Sequence, residues 1–466
     1  MIELAAFGIF RRITAFFMAL VAMVTIPLGT TLGVTEGEPI MATRQDYCYD
    51  NNKLLIGGYN YDLSYADATH VAWVKEAGID FLISGVNQTF LDLCADNGIG
   101  VIAKSYNAPA MYWDAGGSAA WYNISPGTYK DHPALWGDDM IDEPTSAGFA
   151  TLGAAVNHYY ANTTGKITLI NLFPIYANEE QLGNSPVIEP YKKVLLPFSD
   201  FSDGSIDQYK RHVSDYINNI DTDYISVDIY PLGVKTDVLG NRVLTTNNQW
   251  LRNLDILAEA CRETDRDLWV ITQAAGNEID ESGGMRYCDT PEDIRWQAYV
   301  SLAFGTKAII HACYNSGWWD RDSHLIDAAG NRTYTYYAVQ TVDNELKAFA
   351  DIYGGYNNLG AYLHNGKAAA GSKYGFLMPV DGNVKPAVSS KSPLLIGCFD
   401  GKDGNSAGYT VVNMNEPQSG LGAAATLTFD GATKLTVYQK GIAAIINANT
   451  CTLNLENREG VFITVE

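Results

Sequence analysis

Between Leu54 and Gly354 the chain alternates short, mostly apolar runs with longer runs whose apolar residues recur at helical spacing. Leu54–Tyr59, Phe81–Ser84, Ile99–Ala103, Ala134–Ile141, Ile167–Leu172, Tyr224–Tyr230, Leu268–Thr272 and Lys307–Ala312 read as strands. Tyr65–Ala77, Thr89–Asn97, Ser146–Tyr160, Ile206–Ile217, Trp250–Arg262, Pro291–Phe304 and Tyr334–Ile352 read as helices. A long loop with Tyr112, Trp113, Trp121 and Tyr122 joins the third strand to the fourth. Strands this apolar belong to a parallel sheet covered by helices. The strand–helix alternation fits a closed (β/α)8 TIM barrel. An open doubly wound sheet would want a Gly-rich phosphate loop after the first strand, and none is present; Gly57-Gly58 lies inside that strand and reads as packing.

After Gly354 the period shortens. Runs at 374–378, 409–412, 425–429, 434–438 and 460–465 are β-prone and separated by Gly, Asn and Asp. They predict a small C-terminal antiparallel β-sandwich. The expected division is a signal or anchor segment with its linker at 1–40, a barrel at 41–360 and a sandwich at 361–466. At the N-terminus, Arg11-Arg12 precede an apolar run from Ile13 that continues weakly to Leu32. This predicts export, with a secreted or membrane-anchored protein and membrane association through residues 13–32 only. The alternative is a start at Met41 and a cytoplasmic protein.

Composition narrows the function classes. The 466 residues carry a formal charge of −22, which excludes a nucleic-acid partner, because phosphates need basic contacts. The 29 Tyr and 9 Trp suit the flat faces of sugar rings, and also ordinary cores. The seven cysteines, Cys48, Cys94, Cys261, Cys288, Cys313, Cys398 and Cys451, show no metal-ligand spacing and read mostly as buried thiols. No metal and no cofactor is expected.

In such a barrel the reactive groups leave the C-terminal ends of the strands. That rule selects Tyr59, Tyr61 and Asp62 from the first strand, Lys104 and Tyr106 from the third, and Asp142 and Glu143 from the fourth. The sixth strand contributes Asp228 and Tyr230, the seventh Gln273, and the eighth Tyr314, Asn315 and Trp318-Trp319. A polar, acidic and aromatic set suits a neutral polyhydroxylated ligand. Cleaving a glycosidic bond needs a proton for the leaving oxygen and a second carboxylate. Glu143 is the candidate donor and Asp228 the candidate partner. Structural alternatives stay open: Asp142 caps the next helix, Glu143 is a first-turn acid, and Asp228 accepts backbone donors or pairs with Lys104 or a barrel arginine. His132 and His311 read as structural.

The segment His132–Pro144, HPALWGDDMIDEP, resembles the fourth strand of clan A glycoside hydrolases. It looks nearest to bacterial glycosidase-like chains related to family 42 β-galactosidases. Further matches are DYISVDIYP at 223–231 and RWQ at 295–297 with AFGTK at 303–307. The resemblance spans about residues 54–354. It implies a glycosidase that cleaves O-glycosidic bonds of oligo- or polysaccharides, with Glu143 as acid/base. Two departures follow from it. The clan has Asn where Asp142 stands, and its nucleophilic Glu ends the seventh strand, where this chain has Gln273. Inversion through Asp228 is one resolution, with Glu278, Asp280 and Glu281 as further acids downstream. A carbohydrate-binding barrel without catalysis is the other.

Overall fold

The computed structural model describes residues 39–104, 113–114, 125–126, 129–183, 204–276, 285–286, 288, 290–366 and 377–466. The segment 13–32, Tyr106, Tyr112, Trp121, Tyr122, Glu278, Asp280 and Glu281 lie outside the described residues, as does the side chain of Trp113.

The apolar runs form a closed barrel. Its strands are β1 (Leu55–Tyr61), β2 (Phe81–Ser84), β3 (Gly100–Lys104), β4 (Leu135–Asp142), β5 (Ile167–Leu172), β6 (Tyr224–Asp228), β7 (Asp267–Gln273) and β8 (Thr306–Ala312). All neighbours pair in parallel, and β8 closes on β1 with Gly57 opposite Ile310. The helices α1 (Ala68–Glu76), α2 (Gln88–Asn97), α3 (Phe149–Asn162), α4 (Gly204–Asn219), α5 (Trp250–Thr264), α6 (Pro291–Ala303) and α7 (Tyr334–Lys347) surround it. Alternate strand residues fill the lumen: Phe81, Ile102, Leu169, Trp269 and Ile310 form one buried cluster. Their neighbours on the other face, such as Leu82, Val101 and Val270, join the layer beneath the helices. This two-sided burial is why the strands read as continuous apolar runs.

Close packing makes some glycines irreplaceable. A Cβ on Gly57 would sit 2.5 Å from the Phe81 ring, which bears out the packing role of Gly57-Gly58. On Gly137, in β4, it would sit 1.9 Å from the Ile167 carbonyl oxygen. The obstacle there is main chain of the adjoining strand, which cannot rotate away. Gly137→Ala is therefore expected to cost about 3 kcal/mol or more, read as a lowered midpoint in urea unfolding.

The segment from Ile40 to Tyr49 closes the N-terminal face of the barrel. Ile40 and Ala42 donate main-chain bonds to Ile217 and Thr264, and Arg44 reaches Asp265 and Asp267 at 3.1 Å each. Tyr47 donates to Asp223, and Tyr49 stacks on Trp136 at 4.2 Å. The strand ends on the opposite side, at Tyr61, Lys104, Asp142 and Asp228, form the C-terminal rim.

The C-terminal region is antiparallel. A six-stranded sheet runs in the order β9 (Tyr356–His364), β11 (Leu394–Gly401), β12 (Ala407–Asn413), β17 (Gly460–Val465), β14 (Leu435–Gln439), β15 (Ile442–Ile446). A three-stranded sheet, β10 (Ala387–Ser390), β13 (Ala423–Thr428) and β16 (Thr450–Leu455), faces it across Leu394, Val411, Leu427, Leu453 and Ile463. The barrel-plus-sandwich architecture is the one expected. Several elements are not. A hairpin of Leu232–Thr236 and Arg242–Thr246 rises from the end of β6. The last barrel helix ends at Lys347, because Phe349 leaves helical backbone, and a short helix resumes at Ala350–Gly354. β9, β10, β11, β15 and β16 were not read from the sequence; β15 is exposed at Ile442–Ile445, so it shows no alternation to read. Six of the cysteines are buried and free, whereas Cys48 is exposed. Among the described residues no helix is long and apolar enough to cross a membrane.

Candidate active site

Asp142 is the last residue of β4, opposite Asn171 of β5. Glu143 follows with its N–H on the Asn171 carbonyl at 2.8 Å and with φ at 48°, a left-handed turn uncommon for a residue other than glycine. Pro144 then leads away from the sheet. Neither capping alternative holds. The 3-10 turn at Ser146–Gly148 has Thr145 at its cap, α3 starts only at Phe149, and neither has an acid in its first turn. The two acids instead belong to the rim.

Asn171 links them to β6. Its Nδ2 donates to Asp142 Oδ1 at 3.0 Å and to Asp228 Oδ1 at 2.8 Å. Its own Oδ1 accepts from the Ser226 hydroxyl at 3.1 Å. The amide orientation follows from these bonds, since the opposite one would set oxygen against carboxylate. Asp228 is thus held by a side-chain amide, with further contributions from a backbone donor and from Tyr230, so the alternative of a strand-end acid accepting backbone donors is realised in part.

The electrostatics set these carboxyls apart from surface acids. Burial, then the charges of Asp228 and Asp142, push Glu143 up to about 9. Burial and Asp142 push Asp228 up to about 7, against the Asn171 bond, which favours its ionised form. Asp142 is raised by burial, opposed by Asn171 and Lys104. Deeper in β4, Asp139 is raised to about 8 by burial despite Lys104. Like charges that share a poorly solvated site cannot all ionise near neutrality. Of Glu143, Asp139 and Asp228, Glu143 keeps its proton longest and Asp228 loses its own first, which is the division of labour an acid and a base require.

Around this centre the rim is aromatic. Lys104 donates to Asn60 and lies over the Tyr59 ring, 4.4 Å from its centroid. Trp318 lies 5.6 Å from Tyr59 and 6.2 Å from Tyr230, and Trp319 meets Tyr230 edge-on at 4.7 Å. Both tryptophans stay partly exposed. Tyr59, Lys104, Asp142, Glu143, Asp228, Tyr230 and Trp318 therefore come together as the strand-end rule expected.

Other candidates do not. Gln273 is fully buried; it accepts from Leu232 N at 3.2 Å, its amide faces the Ala275 carbonyl, and Gln297 holds its main chain. It braces the β6 and β7 loops rather than presenting an amide to a ligand. Tyr314 is also fully buried, in the layer beneath the helices and 5.3 Å from Tyr61. Asn315 is buried and accepts from Asp62 N at 2.7 Å, while the Asp62 carboxylate caps the turn at Leu63–Tyr65. Tyr314, Asn315 and Asp62 thus tie the ends of β8 and β1 together, a correction to their expected ligand contact. His311 bonds Asp343 at 2.8 Å and His132 bonds Asp92 at 3.1 Å, as structural histidines do. Asn60, Asp139 and Asn171 went unread, although the strand-end rule extended to the last inward residue of β5 would have found Asn171. Among the described residues no group of three or more His, Cys, Asp or Glu is placed to hold a metal ion.

No family model matches this chain, and no curated protein does. Solved structures do. A β-galactosidase from the Antarctic haloarchaeon Halorubrum lacusprofundi is 11% identical, covers 63% of this chain and 58% of its own, and has a TM-score of 0.37. A β-galactosidase from Bacillus circulans sp. alkalophilus is 9% identical over 89% of this chain and 99% of its own, with a TM-score of 0.46. A truncated 3-deoxy-D-arabino-heptulosonate 7-phosphate synthase from Thermotoga maritima is 11% identical over 65% and 89%, with a TM-score of 0.33. The chain spans 58% of the length of the haloarchaeal enzyme. Scores this low, shared with a synthase, carry no argument about chemistry.

Proposed function

We propose that this protein is a glycoside hydrolase of the clan A type, near the family 42 β-galactosidases, that cleaves O-glycosidic bonds of oligo- or polysaccharides. The observation that carries the reading is one rim holding Glu143 and Asp228 in electrostatic contact, with Glu143 the weaker acid. Glu143 gives its proton to the glycosidic oxygen as the bond to the anomeric carbon breaks. Asp228 either takes a proton from attacking water or bonds the anomeric carbon itself. The first course inverts and wants carboxyls roughly 6.5–9.5 Å apart; the second retains and wants roughly 5–5.5 Å. The Trp318 and Trp319 faces supply a platform for the ring. Export through residues 13–32, and a division into segments 1–40, 41–360 and 361–466, belong to the same proposal.

The test is a screen on aryl glycosides and oligosaccharides, with kcat/KM followed against pH on whichever substrate turns over. Asp228 must be ionised, so rate rises with pH through about 7. Glu143 must be protonated, so rate falls through about 9. A bell between those limbs is expected, and Asp228→Asn should lose the acidic limb together with most of the turnover. The buried Gln273 favours a second reading, sugar binding without catalysis. Heat of binding with no product from any linkage would select it.

A further inference from the structure

The Asp142, Glu143 and Asp228 carboxyls differ in one respect that geometry alone reveals: two of them accept from Asn171 and the third does not. We infer that Asn171 is a positioning residue that assigns the proton within this cluster, favouring the ionised forms of Asp142 and Asp228 and leaving the Glu143 carboxyl as the favoured place for a shared proton. In the hydrolase reading, on which its effect on turnover rests, Asn171 thereby makes Glu143 the acid and Asp228 the base.

An amide nitrogen has two hydrogens, and here both go to carboxylates on neighbouring strands. Each such bond stabilises the anion over the acid. Ser226 anchors the amide oxygen, so the group cannot turn and offer an acceptor instead. Glu143 meets Asn171 only through its main-chain N–H on the Asn171 carbonyl, which leaves its carboxyl without that donor. Burial and like charge force a proton onto the cluster, and the proton settles where no donor favours the anion. Among the described residues, the other titratable groups around the cluster are Lys104 from β3, Asp139 from β4, Tyr176 after β5, Tyr230 after β6, Tyr209 from α4 and Cys313 after β8. Lys104 is the cation among them. It acts on Asp139 and Asp142 and is not among the causes that shift Glu143, so it cannot substitute for Asn171 in setting the order.

The consequence has an unusual sign pattern. Without the amide, Asp142 and Asp228 hold protons to higher pH. Their reduced charge then relieves Glu143, which loses its proton at lower pH. A merely structural role would move all three together, or none.

The experiment is carbon-13 NMR titration of the full chain labelled at the Asp and Glu carboxyls, with assignments from Asp142→Asn, Glu143→Gln and Asp228→Asn. In Asn171→Ala the Asp228 midpoint should rise by about one pH unit, the value of one lost bond to a charge, while the Glu143 midpoint falls. Asn171→Ser, which keeps one donor, should restore part of the separation and serves if the alanine variant fails to fold. Unchanged midpoints, or a shift of all three in one direction, would overturn the inference. The titration needs no substrate, so it stands even if no glycoside is cleaved. Where one is, the Asn171→Ala bell should narrow from both sides.

Discussion

In the proposed hydrolase, Glu143→Gln is expected to lower kcat about a hundred- to ten-thousand-fold on glycosides with poor leaving groups, and far less on dinitrophenyl glycosides. The difference is the argument. An alkoxide leaving group must be protonated as its bond breaks, whereas a dinitrophenolate leaves unaided. Only loss of a proton donor produces that contrast; a general distortion of the rim would slow both substrates alike. The alkaline limb near 9 should vanish in the same variant, because the group that titrates there is gone. The stability effect runs the other way. The folded protein holds the Glu143 proton up to about 9, while an unfolded chain releases it near the ordinary glutamate value of 4.5. Between those values the folded state binds more protons, so stability falls as pH rises through the window. Gln carries no such penalty. The variant is expected to melt above the wild type at pH 8 and at the same temperature at pH 4, by calorimetry. Unchanged turnover on both substrate classes would remove Glu143 from the mechanism.

The second large effect lies far from the rim, where α6 meets α7. Arg295 Nε donates to Glu345 Oε2 at 2.8 Å, and Arg295 Nη2 to Oε1 at 2.7 Å. Both side chains are buried, with residue exposures of 5% and 8%. The fork satisfies both charges; without Glu345, Arg295 keeps only the longer contact to Glu292 at 3.9 Å, and without Arg295 the Glu345 carboxylate loses its fork in a poorly solvated layer. Glu345→Ala, or Arg295→Ala, should therefore cost about 3–5 kcal/mol in urea unfolding. Replacing both with Met should recover most of that loss, because no unpaired charge then remains. Equal costs for single and double variants would show that packing, not charge, is what the pair supplies. Turnover at saturating substrate should be unaffected in any variant that folds, since neither residue touches the rim.

Much of the barrel was legible because burial on both faces leaves a local trace. Ile167–Leu172 was read to the residue, and Lys307–Ala312 to within one. The hairpin at Leu232–Thr246 and the exposed strand β15 were not. One interrupts the strand–helix rhythm, and the other lacks the alternation that half-burial imposes. At the site, residues at the strand ends were found: Asp142 and Asp228 close their strands, and Glu143 is the next residue after Asp142. Tyr314 and Asn315 failed because their backbone leaves β8 for the β1 end, so their side chains pack there and not at the mouth. Gln273 failed for a related reason: the hairpin after β6 brings Leu232 N onto its amide.

Strand order, helix placement and the identity of the rim acids were determined by the chain itself, because period and strand end are properties of neighbours in sequence. Which acid keeps the proton was decided only by closure. That outcome depends on β4, β5 and β6 lying side by side, on one amide of β5 reaching carboxylates on both flanks, and on water being thinned around all of them. Proton affinity responds to burial and to charges a few ångströms away, and those neighbours stand up to 86 positions apart along the chain, from Asp142 to Asp228.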